Sequence, residues 1–551
     1  METQPSQRIE CRRHDFKKTG RVLFCLILIS CCIYSLVFIY RTSFVVDGER
    51  FFTLFDDAMI SMRYAKNLAN GYGLVWNPGG ERVEGYTNPL WVFFMALFHL
   101  LPLSESKISL PIQLSGMGFL LINLFCVKKI ADFLSKGDRF ASLTAVFLTA
   151  FYYPLIFWSL RGMEVSVLVC IVNLSIWLAL RSVHAGRPSM VMYLILGIAT
   201  LVRPDLIVTA ISILVYVLVV DPRNRRGNAV LGFLVLFSFV LLQTAFRLTY
   251  FGEFLPNTYY LKMTGYPALL RISRGLIVTP KFLCTMIPLV LLAPFVYGFL
   301  RRNSQALLLF WIFSTQMLYS VYVGGDAWEH KGRANRFIAL SMPLFFLLFV
   351  QTLDRVRRSL VQIKPGGWSA LVSQGMLAAL VFTSLFSFNI IKENDAFEKW
   401  ATLKRPPFVA GNERYVTLGL LINKITDAQA RIAVVTAGNI IYFAEREGID
   451  MLGKADKVIA RSQPHANGGS FDNVDEIFRP GHNKWDYQHS IVKLRPDIVA
   501  QIWGSSQEMD PYLQAGGYEY FRVDGFPLYL RVDSEHVLWD EVNSRASNSS
   551  E

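Results

Sequence analysis

The chain has 551 residues, 53% of them hydrophobic, 14% aromatic and only 18% charged, with a mean hydropathy of +0.35. Soluble proteins carry about 25% charged residues, so a soluble class is excluded and a membrane protein with many spans is expected, too long to be spans alone. The net charge of +13 marks basic loops near anionic lipid; no basic-aromatic module accompanies it, so nucleic acid is not an expected partner. The seven cysteines run from Cys11 to Cys284, and their absence from the polar C-terminal part means that no disulfide framework holds it.

Residues 1–21 form a basic tail, expected in the cytoplasm. The apolar run Val22–Tyr40 follows and is about long enough to span a bilayer. The sequence after it, YRTSFVV, lacks a small-residue cleavage pattern, so an uncleaved anchor is expected. Residues 22–390 are read as the transmembrane part, with further apolar runs near 109–127, 140–158, 163–181, 190–202, 204–220, 229–250, 280–300, 305–322, 337–353 and 368–390. The connections KKIADFLSKGDR, RSVHAGR, DPRNRRG, RRNSQ and DRVRRSLVQIK are basic, which assigns them to the cytoplasm. The alternate connections mix acids, Arg, Asn, Tyr and Gly. Strict alternation gives about eleven crossings and leaves the C-terminal part outside. The segment Pro89–Pro102 would reverse this pattern if it crossed, so it is read as a half-helix or interfacial helix. All chemically rich loops then share one membrane face, as a site at a membrane surface requires. A transporter would show polar positions near the midplane and a repeat in two halves; no such repeat is evident.

The first outer loop, residues 41–88, contains TLFDDAMISMRYAKNLANGYGLVWNPGG. Ala58, Met59, Met62, Ala65 and Ala69 recur at helical spacing and Gly71 and Gly73 terminate the run. A short amphipathic helix along the membrane surface is expected, starting at Asp56 or Asp57. An N-cap needs one Asp; a second one beside lipid points to a functional acid. Desolvation raises a carboxyl pKa toward the range of a general base, and a nearby Arg or Lys would pull it back. A divalent cation held by Asp56 and Asp57 is the other chemistry left open. Arg63 follows on the same helix, and Glu84 and Asn88 in ERVEGYTNPLW are placed to contact a sugar or to close the loop.

VRPD puts Arg203 and Asp205 around a proline between two short apolar runs, which reads as a tight outer turn, with a salt bridge lining a cavity and a purely structural pairing as the two readings of its charges. SLRGMEV adds Arg161 and Glu164. FLPNTYYLK offers Asn257, Tyr259, Tyr260 and Lys262. VGGDAWEHKGRANRF concentrates Asp326, Glu329, His330, Lys331, Arg333 and Arg336 after a glycine turn; two arginines near lipid can clamp a phosphate bidentately. From residue 391 to 551 polar residues return. ARIAVVTAG and RPDIVAQIW read as buried strands and YEYFRV–DGFP–LYLRV as a hairpin, together a small α/β domain expected to hold the acceptor or roof the site. VTAGNI lacks the P-loop lysine and the dinucleotide glycine pattern. His465, His482 and His489 have no ligand-like spacing.

With these motifs assembled, the chain resembles the polytopic glycosyltransferases of the GT-C superfamily. It is closest in pattern to the family of the mycobacterial terminal arabinofuranosyltransferase AftB and the bacterial flagellar motor control protein ZomB. The matching stretches are DDAMISMRYAKNLANGYGLVWNPGGERVEGYTNPLW, RPD, FGEFLPNTYYLK, GGDAWEHKGRANRF and AGNIIYFAEREGIDMLGKADKVIA. The run between GGD and RF is longer and more charged here than the family pattern.

The resemblance implies a GT-C-like helical membrane domain with a C-terminal extracytoplasmic α/β domain, in a bacterial inner membrane. It implies a polyprenyl-phosphate sugar as donor, a pentofuranose such as arabinose among the candidates, and a cell-envelope glycan or glycoconjugate as acceptor. Of Asp56 and Asp57, one would be the general base. Arg203, Lys262, Arg333 and Arg336 would contact the lipid phosphate. Arg63, Glu84, Asn88, Asn257, Tyr259, Asp326 and His330 are the remaining candidates for substrate contact. No cofactor is required beyond an optional divalent cation. A lipid-linked-sugar transporter and a non-enzymatic envelope or flagellar-motor assembly factor are the alternatives.

Overall fold

The computed structural model describes residues 5–284, 294, 297, 303–328, 335–363, 368–389, 394–465 and 478–546. Five described helices are long and apolar enough to cross a membrane: Lys18–Thr42, Ser109–Ser135, Val165–Ala185, Arg225–Phe251 and Arg336–Ser359. A sixth span arises if Arg139–Ala150 and Tyr153–Leu160, bent by 50°, count as one. Pro154 sits in the first turn of the second piece, where a missing N–H and a fixed φ start a new helix rather than continue an old one. The expected figure of about eleven crossings also counted shorter apolar helices. Met190–Val202 and Pro204–Val220 are two of these, and a 13-residue helix reaches about 20 Å into a core of about 30 Å. The run expected at 280–300 lies largely outside the described residues.

Burial separates the spans. The most apolar window of Arg336–Ser359 is 89% buried, whereas that of Arg225–Phe251 is 22% buried. The first is the centre of the bundle, packed through Phe345, Phe346 and Phe349. The second turns Phe233, Leu234, Phe237, Leu241 and Leu242 outward, an apolar face that hydrocarbon solvates better than water does. Pro89–His99 is a helix of 11 residues, about half the length that a span needs.

After the first span the chain makes a small antiparallel ribbon, β1 (Phe44–Val46) and β2 (Glu49–Phe51). It then enters the helix Asp56–Ala69. This helix was expected to be amphipathic with one face free, and its burial extends further than that. Ala58 through Ala65 are buried, Ser61 and Arg63 among them, because the C-terminal domain covers the face that the bundle leaves open.

The C-terminal domain is built on a five-stranded mixed sheet. β3 (Arg431–Val434), β4 (Glu447–Asp450) and β5 (Ile498–Val499) run parallel, and β7 (Phe526–Arg531) pairs antiparallel with both β5 and β6 (Tyr518–Val523). The expected hairpin is present. Val523 pairs with Phe526, leaving Asp524 and Gly525 as a two-residue turn with φ of 46° and 78°, the double left-handed geometry that suits a twisted hairpin. β4 adds a parallel edge strand to the strands expected from sequence.

Candidate active site at the seam of the bundle and the sheet domain

Asp56 and Asp57 are the first two residues of their helix. The residue before them, Phe55, is the N-cap and makes no side-chain cap, so neither acid has the capping role. Consecutive helical residues point about 100° apart, and the two carboxylates diverge accordingly. Asp56 Oδ1 accepts from the backbone N–H of Asn439 at 2.8 Å and from its side-chain amide at 3.2 Å. A Cβ on Gly438 would lie 2.1 Å from the Asp56 carbonyl oxygen, so only glycine lets the turn after β3 close on this helix. Burial pushes the Asp56 carboxyl up, against those hydrogen bonds and Lys454.

Asp57 turns into the interior of the site. Its Oδ1 accepts from Lys454 Nζ at 2.6 Å, and its Oδ2 lies 3.5 Å from Arg336 Nη1 and 3.4 Å from Trp328 Nε1. Burial alone would raise this carboxyl, but Lys454 and Arg336 outweigh it and hold Asp57 well below the usual carboxylate range. Of the two opposing effects expected from the sequence, the pull of nearby cations wins at Asp57: a carboxylate that loses water but gains two cations stays ionised.

Each cation is fixed by its own local structure. Arg336 makes a bidentate pair with Asp326, Nε to Oδ2 at 2.8 Å and Nη2 to Oδ1 at 2.9 Å, and lies 5.1 Å from the Trp158 ring centre. Arg203 reaches Asp205 through Nε at 2.9 Å and Nη2 at 2.8 Å, and Glu164 through Nη1 at 3.2 Å. Asn88 donates to Glu164 at 2.9 Å and accepts from Ser61 at 3.0 Å, which ties this pair back to the Asp57 helix. Lys454 rides on a turn after β4. Asp450 accepts from the N–H groups of Leu452 at 3.0 Å and Ala455 at 2.7 Å, and Asn257 donates to the carbonyls of Gly453, Lys454 and Asp456 at 2.9 to 3.2 Å.

Lys262 differs from the rest. Its Nζ has no hydrogen-bond or ion-pair partner among the described residues, although Asp57 and Asp326 act on it at longer range. Burial, then Arg336, bring its pKa down to about 8.

Arg203, Lys262 and Arg336 line two adjoining cavities. The smaller, about 80 Å³, also contains Asp57, Ser61, Asn88, Glu164 and Lys454. The larger, about 370 Å³, adds Arg247, Asp326, Tyr259 and an apolar side of Ile207, Val208, Met263 and Tyr322. That volume falls in the range of small-molecule sites, about 300–1,000 Å³.

Of the sequence candidates, Asp57, Asn88, Arg203, Tyr259, Lys262, Asp326 and Arg336 come together around these cavities. Glu84 stands behind them, accepting from Arg247 Nε at 2.6 Å. Arg63 and Asn257 do not reach the cavities and are corrected. Arg63 donates to the carbonyls of Trp76, Ile441 and Arg446 at 2.6 to 2.7 Å and to Asn77 at 3.2 Å, and Asn257 is saturated by the Lys454 turn. Both hold the sheet domain to the bundle. Arg333 and His330 lie outside the described residues, as do Glu329 and Lys331. Lys454 escaped notice as a site residue because it lies 397 positions from Asp57; its only signal was its place in MLGKADKVIA.

A shared divalent cation does not fit Asp56 and Asp57. One carboxylate is taken up by Asn439, and the other is surrounded by cations that compete with a metal for the same oxygens. Among the described residues no group of three His, Cys, Asp or Glu side chains could hold a metal ion. The cavity walls combine the cations Arg203, Arg247, Lys262, Arg336 and Lys454 with the acids Asp57, Glu164, Asp205 and Asp326, and among the described residues Lys262 is the cation that this pairing leaves over for an anionic ligand.

Residues 407–532 match a family described as a domain of unknown function, DUF8728. No curated protein matches the chain. Among solved structures, ArnT from Cupriavidus metallidurans in the apo state superposes with a TM-score of 0.52 at 12% identity, over 94% of this chain and 98% of that one. The same protein bound to undecaprenyl phosphate gives 0.53 at 12% identity, over 94% and 99%. The Archaeoglobus fulgidus oligosaccharyltransferase in the apo form gives 0.53 at 11% identity, over 94% and 75%. The chain therefore has a GT-C-like fold.

Proposed function

We propose that the chain is a membrane glycosyltransferase that moves a sugar from a polyprenyl phosphate to an acceptor hydroxyl at the extracytoplasmic face. The observation that carries this reading is Lys262: a cation facing the cavity without a partner among the described residues, beside Arg336, Arg203 and a carboxylate. An anionic ligand is what such a wall lacks. The apolar side of the larger cavity suits the first carbons of a lipid tail, and the undecaprenyl phosphate bound to ArnT supports a phosphate of that kind.

In the proposed reaction the acceptor oxygen attacks the anomeric carbon, and the bond from that carbon to the phosphate oxygen breaks. The polyprenyl phosphate leaves with the bonding electrons, stabilised by Arg336, Lys262 and Arg203. The acceptor proton goes to Asp57. Asp57 is a weak base while Lys454 and Arg336 both hold it. A phosphate that draws Arg336 and Lys262 toward itself lowers the positive potential at Asp57 and raises its basicity. Asp56 serves the seam instead, and residues 391–551 act as part of the site because they supply Lys454. The likeness to the arabinofuranosyltransferase family supports a pentofuranose donor and an envelope glycan acceptor.

A transfer assay on the full-length protein in lipid nanodiscs, with a panel of polyprenyl-phosphate pentoses and hexoses, tests the reading. Transfer from one donor that is abolished by Asp57→Asn supports it. Equal transfer by the Asp57→Asn protein, or none from any donor, contradicts it.

A further inference from the structure

Three loops leave the carboxyl ends of the parallel strands, and two of them already have a place at the site. The loop after β3 sets Asn439 on Asp56 and the loop after β4 sets Lys454 on Asp57. The loop after β5 carries Gln501 into a separate cleft of about 560 Å³. β3 lies between β4 and β5, so sheet growth reverses direction there. Open α/β sheets take their ligands beyond the carboxyl ends of the strands at this kind of reversal.

The walls of the cleft have a consistent chemistry. Arg414 and Tyr415 come from the helix Val409–Ile425, Gln501 from the β5 loop, and Tyr520, Phe526 and Tyr529 from the hairpin. Gln501 is held rigidly: its Oε1 accepts from the N–H groups of Val435 at 3.0 Å and Thr436 at 2.8 Å, and from the Thr436 hydroxyl at 2.8 Å. Its Nε2 is left without a protein partner among the described residues. Tyr520 is 52% exposed and meets Tyr529 edge-on, with ring centres 5.5 Å apart. Arg414 lies 5.7 Å from the Phe526 ring centre. Among the described residues no acid, histidine or cysteine lines the cleft, which offers neither metal ligands nor a nucleophile there. A single cation is too little for a polyanion. Ring faces beside a fixed amide and three phenols match a carbohydrate, whose C–H faces stack on aromatic rings while its hydroxyls hydrogen-bond.

We propose that this cleft is the acceptor subsite and that it takes an oligosaccharide whose terminal hydroxyl extends to Asp57. Neighbouring strands lie about 4.8 Å apart, so the ends of β4 and β5 are on the order of 10 Å apart across β3, a gap that an oligosaccharide bridges. The turn that Gln501 grips leads through Gly438 to the Asp56 contact, so the cleft and the cavity share one rigid edge. The proposal rests on the glycosyltransferase reading and adds the ligand class and the residues that receive it.

The test uses the full-length protein in nanodiscs on an array of neutral oligosaccharides built from pentofuranoses and from hexoses, with undecaprenyl phosphate binding measured in parallel. Wild type should retain a subset of the glycans. Tyr520→Ala and Arg414→Ala, both at exposed positions, should each weaken that retention about tenfold and leave undecaprenyl phosphate binding within twofold of wild type. Absence of glycan retention by wild type, or retention unchanged in both variants, overturns the proposal. If the glycosyltransferase reading itself is wrong, the failure appears elsewhere, as no binding of undecaprenyl phosphate by a protein that still retains glycans.

Discussion

The seam and the cavity carry similar side chains and treat them in opposite ways. At the seam, the buried charges Arg63 and Asp56 are held largely by backbone, with side-chain ion pairs such as Lys66–Glu445 and Lys457–Glu81 at its edge. Arg63 meets three carbonyls and an Asn side chain, and Asp56 meets an N–H. Asn77 exchanges two hydrogen bonds with Gly448, at 2.9 and 2.8 Å, as a strand neighbour would. In the cavity, charges meet mainly other side chains, and one of them, Lys262, has none within bonding distance among the described residues. Backbone partners fix a side chain for good, because the carbonyl cannot leave. Side-chain partners around a void can rearrange when a ligand arrives. The contrast separates docking residues from ligand residues even where they are neighbours in sequence, as Asp56 and Asp57 are.

The largest effect should divide that pair. Asp57→Asn is expected to lower transfer by about a hundredfold or more per folded molecule, beyond any loss of stability from leaving Lys454 unpaired, while Asp56→Asn keeps an oxygen for Asn439 and stays within a few fold. Equal losses from both would dissolve the distinction. Next comes Arg63→Met, which strands three buried carbonyls and should cost roughly 2–4 kcal/mol. Limited proteolysis between residues 391 and 430 should become faster, and transfer should fall only as far as the folded fraction does. A loss of transfer in a fully folded Arg63→Met protein would move Arg63 to the substrate side.

Arg336→Lys gives up the bidentate grip on Asp326 and the contact with Asp57, so donor affinity should fall about tenfold, read as a rise in KM for the polyprenyl-phosphate sugar. The smallest effect is in pH. Lys262 titrates near pH 8 and is cationic below that value, so its contribution to phosphate binding is present below pH 8 and is lost as pH rises through it. Undecaprenyl phosphate affinity should drop several-fold between pH 7 and 9, and a Lys262→Met protein should lack that step.

Much of the cavity was legible in the chain because its residues stand out against lipid. Arg203 and Asp205 interrupt apolar runs, where a charge needs a reason, and Lys262, Asp326 and Arg336 fall in outer connections whose charges stand out from the bland basic loops of the other face. The amphipathic period of the Asp57 helix was equally plain, as were the alternating strands of the hairpin. The seam was not legible, since its partners are main-chain carbonyls that no side chain announces; Arg63 and Asn257 therefore looked like substrate ligands. Lys454 was hidden by distance along the chain and by the fact that one lysine in a polar domain is unremarkable until Asp450 and Asn257 have shaped its turn. The burial of the Asp57 helix also depended on a partner encoded hundreds of residues later, so its amphipathic pattern suggested a lipid surface instead.

The central claim is that the cavity cation without a partner among the described residues, and not positive charge in general, binds the lipid phosphate. Titration of undecaprenyl phosphate into the nanodisc-embedded protein tests it with two lysines. Lys262 faces the cavity, whereas Lys66 pairs with Glu105 at 2.9 Å and Glu445 at 2.5 Å. The account predicts that Lys262→Met weakens binding about tenfold and that Lys66→Met leaves it unchanged. Equal affinity in the Lys262→Met protein and wild type, or an equal loss from both substitutions, would contradict it.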